Sequence, residues 1–182
     1  MLTKSEKLVK DTLILAKQNK EILWSHKLEP LFMGKFRTDA MFDFLVILNN
    51  GDTLLLEVKE VKSHYFNFHL IKDKQMEFVV NLFNSEHKPY LKTKLLFLLK
   101  LEKKKENSVF LIKPRFIYSL YSNGCKGFNI NVLQNNSDVL ELKSKEGGNP
   151  IAMNYGLTSK NNLTFGFVDF IKQITGFIEG VV

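Results

Sequence analysis

Two carboxylates interrupt runs that are otherwise apolar. Asp43 stands in Met41-Phe42-Asp43-Phe44-Leu45-Val46-Ile47-Leu48, and Glu57 stands in Leu54-Leu55-Leu56-Glu57-Val58-Lys59. A charge inside a buried strand needs a partner. Between the runs lies Leu48-Asn49-Asn50-Gly51-Asp52. Asn49-Asn50 suit a type I turn, and Gly51 suits the left-handed position after it, which is the three-residue hairpin loop with a bulge. Leu48 then lies opposite Asp52, and Asp43 opposite Glu57, with Cβ atoms about 4.5–5.5 Å apart. A two-residue Asn50-Gly51 turn would instead put Val58 opposite Asp43. In the first register the two carboxylates repel unless a cation sits between them or one holds a proton.

Lys59, two residues past Glu57, leaves the same face of its strand. Hard divalent cations, Mg²⁺ above all, are bound through one or two carboxylates together with water and substrate phosphate. Two acids and a lysine on one patch therefore suit metal-assisted hydrolysis of a phosphodiester. The plainer reading is that these are solvated hairpin residues. Glu60 and Lys62 repeat the acid-x-lysine spacing on the opposite sheet face. Asp39 also precedes the first strand, further from the hairpin partner.

The remaining sequence supports one ordinary domain over residues 1–182, with a core over about 1–120 and a C-terminal extension over about 121–182. Apolar residues make up 45% and charged residues 25%, the balance of a folded globular chain rather than a disordered or collagen-like one. The single cysteine, Cys125, excludes an internal disulfide and fits a reducing compartment. The N-terminus shows no secretory signal, and no run reaches the roughly 18 apolar residues that would span a bilayer. A cytoplasmic, nucleoid-associated protein without membrane partners is expected. The formal charge of +7 fits an acidic partner, nucleic acid foremost, or serves solubility. Arg37 and Arg115 are the only arginines. Lysine meets phosphate as a point charge, whereas arginine is the usual reader of guanine edges, so backbone contact is favoured over base readout.

Hydrophobic periodicity predicts a helix over residues 4–20 with Leu8, Val9, Thr12, Leu13 and Ala16 inward, opened by a Thr3–Glu6 capping box. Residues 24–34 read as a connector. Strands are expected over 41–48 and 52–61, and a helix over 72–83 with Ile71, Phe78, Val79 and Leu82 buried. Further strands are expected over 94–100 and 109–113, and a short helix over 114–121 opened by Pro114. A small hairpin is expected from 128–133 and 139–143. The last helix is expected over 165–179, with Phe167, Phe170, Ile171, Ile174 and Ile178 on one side. This order suggests an α/β fold, a central mixed sheet flanked by helices.

Asp43 followed by Glu57-Val58-Lys59 resembles the core of the PD-(D/E)xK nuclease superfamily, whose fold is restriction-endonuclease-like. Within it, Leu56-Glu57-Val58-Lys59-Glu60-Val61-Lys62-Ser63, then Phe66, Ile71 and Gln75-Met76-Glu77-Phe78, are similar to RecU-type Holliday junction resolvases. His26-Lys27 and Pro30 resemble the segment before that family's catalytic strand. The stretch between Pro30 and Asp43 is shorter than in the family and lacks its projecting element.

The resemblance implies Mg²⁺ (or Mn²⁺) held by Asp43 and Glu57, with the Val58 carbonyl as third ligand. It also implies Lys59 orienting the attacking water and Gln75 steadying Lys59 or a metal-bound water. Glu6 would be the superfamily's helical acid; equally, it is half of the capping box. Lys62, Lys72 and Lys74 are candidate DNA contacts, or solvated residues. The implied partner is branched DNA cut by a two-fold homodimer. A restriction or repair endonuclease on the same core, and a non-catalytic nucleic-acid-binding module, are the alternative readings.

Overall fold

The computed structural model describes residues 3–33, 36–84, 93–102, 107–133, 136–142 and 170–179. A six-stranded mixed sheet is flanked by helices on both faces, the α/β architecture expected. Its strands are β1 (Ile22–Lys27), β4 (Phe44–Leu48), β5 (Thr53–Val61), β7 (Thr93–Glu102), β8 (Asn107–Ile112) and β10 (Val139–Glu141), in the spatial order β1-β4-β5-β7-β8-β10. Only β5 and β7 run parallel. Two small antiparallel pairs accompany the sheet: β2 (Leu31–Met33) with β3 (Phe36–Thr38), and β6 (Tyr65–Asn67) with β9 (Gly127–Asn129).

Helix α1 (Lys4–Gln18) and helix α4 (Phe170–Glu179) cover one face. The inward stripe of α1 is the expected one, Leu8, Val9, Thr12, Leu13 and Ala16, all buried. It packs on Phe44, Val46, Leu54, Leu56 and Val58, where α4 adds Phe170, Ile171, Ile174 and Phe177. Phe167 and residues 165–169 lie outside the described residues. Helices α2 (Asp73–Asn84) and α3 (Pro114–Ser122) cover the other face, around Leu95, Phe97, Leu99, Phe110 and Ile112.

Three sequence expectations are corrected. The supposed connector at 24–34 contains β1, an edge strand antiparallel to β4, and β2. Ile22 is the one fully buried residue of β1, so no alternating pattern marked the strand. Residues 128–143 do not form a hairpin. Phe128 pairs with Phe66 in β6, a 3₁₀ turn follows at Ile130–Val132, and β10 pairs with β8. Each half found a non-local partner, which a local turn signal could not disclose. On α2 the fully buried residues are Gln75, Met76 and Val79, whereas Phe78 and Leu82 are only partly buried. The sheet reaches α2 near its first turn, and this rotates the buried stripe toward Gln75.

Candidate active site

The β4–β5 hairpin adopts the first register considered, with Phe44 opposite Leu56, Leu45 opposite Leu55, Val46 opposite Leu54 and Ile47 opposite Thr53. Gly51 takes φ of 82°, and its N–H donates to the Leu48 carbonyl at 2.9 Å. Phe44, Val46, Leu54, Leu56 and Val58 therefore face α1. By alternation, Glu57 and Lys59 face the opposite side, toward α2.

Asp43 sits just before β4, in a bend over residues 41–43. Its carboxylate accepts the Val58 N–H at 2.8 Å. The side chain thus takes a donor that the hairpin ladder leaves without a backbone acceptor there. In a strand, the carbonyl and N–H of one residue point to the same side, so the Val58 carbonyl opens toward Asp43 as well. The bend is pinned on several sides. Leu28 N–H donates to the Asp43 carbonyl at 2.8 Å, and Asp43 N–H donates to Leu56 at 3.2 Å. Phe42 is buried edge-on against Phe78, with ring centroids 5.3 Å apart. Gln75 Nε2 donates to the Met41 carbonyl.

Glu57 is 4% exposed. One carboxylate oxygen meets the Lys59 ammonium at 2.7 Å, and the other, Oε2, is buried with no hydrogen-bond partner among the described residues. Buried carboxylate oxygens rarely lack a partner, so an unpaired one asks for a cation or a proton. Lys59 Nζ also reaches Gln75 Oε1 at 3.4 Å, and that oxygen accepts the Lys72 N–H at 3.1 Å. Gln75 closes the first turn of α2 while joining it to the 41–43 bend and to Lys59. Burial, and next the negative charge of Glu57, raise the Asp43 carboxyl from its ordinary 3.8 to about 7; the Val58 N–H opposes this only in part. The two acids are thus near enough to repel, and near neutral pH one of them half holds a proton.

Glu6 approaches from α1. It completes the capping box with Thr3, whose hydroxyl accepts the Glu6 N–H at 3.1 Å while Glu6 Oε2 takes the Thr3 N–H at 2.6 Å. It also pairs with Lys27 of β1 at 3.3 Å. Burial works against its ionisation, but the Thr3 donors and the Lys27 ammonium outweigh burial and hold it below the ordinary 4.5. The charges of both Glu6 and Lys27 are felt at Asp43. Lys27 was not singled out as a site residue by sequence reasoning, because the strand that carries it was read as a connector.

The other candidates lie apart. Lys62, Lys72 and Lys74 are exposed, and Lys72 lies 3.9 Å from the exposed Asp39. Glu60 points to the α1 face, where it accepts the Ser5 hydroxyl at 2.5 Å and pairs with the buried Lys100 at 3.5 Å. His26, His64 and His69 are exposed; His87 and Lys103–Lys105 lie outside the described residues. Among the described residues, no group of three or more His, Cys, Asp or Glu is arranged to hold a metal on its own. A cation here would share its ligation with backbone, water and substrate, which suits Mg²⁺ better than a softer ion. Among the described residues, no helix is long and apolar enough to cross a membrane.

No protein-family model matches the chain, and no curated protein is similar to it in sequence. Among solved structures, it is similar to Hjc of Archaeoglobus fulgidus, a Holliday junction resolvase from an archaeal hyperthermophile. The match is 12% identical, covers 75% of this chain and 86% of that one, and has a TM-score of 0.34.

Proposed function

We propose that the chain is a divalent-metal-dependent DNA endonuclease of the PD-(D/E)xK type, acting on branched DNA as the RecU-type resolvases do. The observation that carries this reading is Glu57, a buried carboxylate with one oxygen on the Lys59 ammonium and the other without a partner, beside a second acid held near neutrality. That donor set fits a hard cation. Asp43, Glu57 and the Val58 carbonyl would hold it, and Mg²⁺ or Mn²⁺ would supply Lewis acidity toward the phosphodiester and its attacking water. Lys59 keeps a positive charge where the phosphoryl group gains negative charge, worth most in a site closed to water. Gln75 keeps the Lys59 ammonium from swinging to solvent. Glu6 and Lys27 set the charge behind Asp43. Exposed Lys62, Lys72 and Lys74 would meet the DNA backbone, and a homodimer would place two such sites on one junction.

The test is cleavage of a four-way junction, a fork and a linear duplex, each with Mg²⁺ or EDTA, by wild type and by Asp43→Ala and Glu57→Ala. Symmetric nicks on the junction, lost with EDTA and in both variants, are expected. Sequence-dependent cutting of plain duplex would select a restriction or repair enzyme. Absence of cutting on every substrate, with the fold intact by circular dichroism, would refute the enzyme reading.

A further inference from the structure

The edge strand β1 carries a feature that the hydrolytic site does not use. Ile22 pairs with Leu48, but Trp24 pairs with Ile47 and the register then continues through Ser25, His26 and Lys27. One extra residue, Leu23, is therefore bulged out of β1. Such bulges re-aim the side chains that follow them. Without it, Trp24 would pair with Val46 and enter the core beneath α1. With it, Trp24 and His26 lie on the face of Leu45 and Ile47, which is the face of Glu57 and Lys59.

The two rings are stacked there, with centroids 5.4 Å apart and planes 16° from parallel. Trp24 keeps 37% of its surface exposed, and His26 is exposed too. Sheet geometry places His26 about 8 Å and Trp24 about 14 Å from Asp43, the reach of one or two nucleotides. Around the sheet edge, a cleft of about 230 Å³ is lined by the polar residues Lys10, Ser25, His26, Lys27 and Glu29, of which Lys27 is ion-paired to Glu6. An exposed aromatic surface with a lysine at the neighbouring edge suits a base with its phosphate, since single strands bind by stacking on rings and by charge along the backbone. A base paired within a duplex cannot offer its flat face to such a surface.

We propose that Trp24 stacks an unpaired nucleobase within about two nucleotides of the scissile phosphate, with Lys10 at the sheet edge facing the backbone of that strand. This deepens the nuclease reading by naming its substrate class, DNA with splayed or single-stranded bases at the cut site, and rests on that reading for the word scissile alone.

Trp24 is the sole tryptophan, so its emission reports on the site directly. The experiment titrates the full-length Asp43→Asn protein with a duplex carrying a single-stranded flap, and with a blunt duplex of the same sequence. Occupancy is followed independently by anisotropy of a dye on the DNA. Emission is expected to fall by half or more with the flap and by less than a tenth with the blunt duplex at equal occupancy. Trp24→Leu is expected to weaken flap binding by about 5- to 100-fold, the range for losing one stacked base. Its blunt-duplex affinity should stay within about twofold, and Trp24→Phe should keep most of the flap affinity.

Unchanged emission on a saturated flap would overturn the proposal, as would equal losses on both DNAs. A blue shift that grows with protein concentration in the absence of DNA would also overturn it, since a second copy would then cover the ring. Cleavage by wild type is measured beside it. Quenching without any cutting would sink the nuclease reading and leave the stacking surface; cutting without quenching would do the reverse.

Discussion

Replacing Asp43 by asparagine should stabilise the metal-free protein while abolishing its chemistry. Burial and the Glu57 charge raise the Asp43 carboxyl from 3.8 to about 7. Between those values the folded state holds a proton that the unfolded state has released, so stability falls as pH rises through that window and levels off above about 7. At about 1.4 kcal/mol for each tenfold change in proton affinity, the ionised carboxylate costs on the order of 4 kcal/mol above neutrality. About 2 kcal/mol of that is lost between pH 5 and pH 7, and about 2.5 kcal/mol by pH 8. Asparagine keeps an oxygen for the Val58 N–H and carries no charge. Thermal melts of both proteins in EDTA from pH 5 to pH 8 should therefore diverge. The wild type should lose roughly 5–10 °C relative to the variant, at about 2–4 °C per kcal/mol for a chain of this size. Added Mg²⁺ should restore the wild type at pH 8 and leave the variant nearly unmoved. A constant difference in melting temperature across the range would refute the claim that the two acids share a buried, repulsive site.

Lys59→Ala strips Glu57 of its one ion-pair partner and should cost about 3–5 kcal/mol in denaturant melts, most of which Glu57→Gln in the same chain should recover. Gln75→Ala removes contacts to Lys59, Lys72 and Met41, and should lower both stability, by about 1–3 kcal/mol, and the rate of single-turnover cleavage. Gly51→Ala should cost about 1–2 kcal/mol, because its φ of 82° disfavours a Cβ while nothing crowds the position. DNA affinity should drop steeply with salt in filter-binding titrations, as lysine contacts displace counterions; a flat response would contradict a lysine-lined path.

The hairpin was legible because its signals are local. Asn49-Asn50-Gly51 names the turn, the turn sets the register, and the register sets which residues share a face. The inward stripe of α1 was legible for the same reason, since 3.6-residue periodicity is written within one segment. What escaped reading depends on distant partners. The strand β1 has one buried residue, and its bulge at Leu23 has meaning only against β4. Phe128 finds Phe66 across the molecule, and the close approach there explains Gly127, where a Cβ would collide with the Phe66 carbonyl. The pinning of the 41–43 bend was likewise unreadable, since Gln75 Nε2 spends itself on the Met41 carbonyl thirty-four positions away.

The side-by-side run of β5 and β7 bears on how the chain is made. Thr53 lies beside Thr93 and Val61 beside Leu101, so β5 waits some forty residues for its neighbour. During synthesis, the hairpin with both acids emerges first, showing water a rim of leucines and unpaired amides that belongs in the middle of the finished sheet. Until the second half arrives, that rim is the place where a newborn chain is most apt to find the wrong mate.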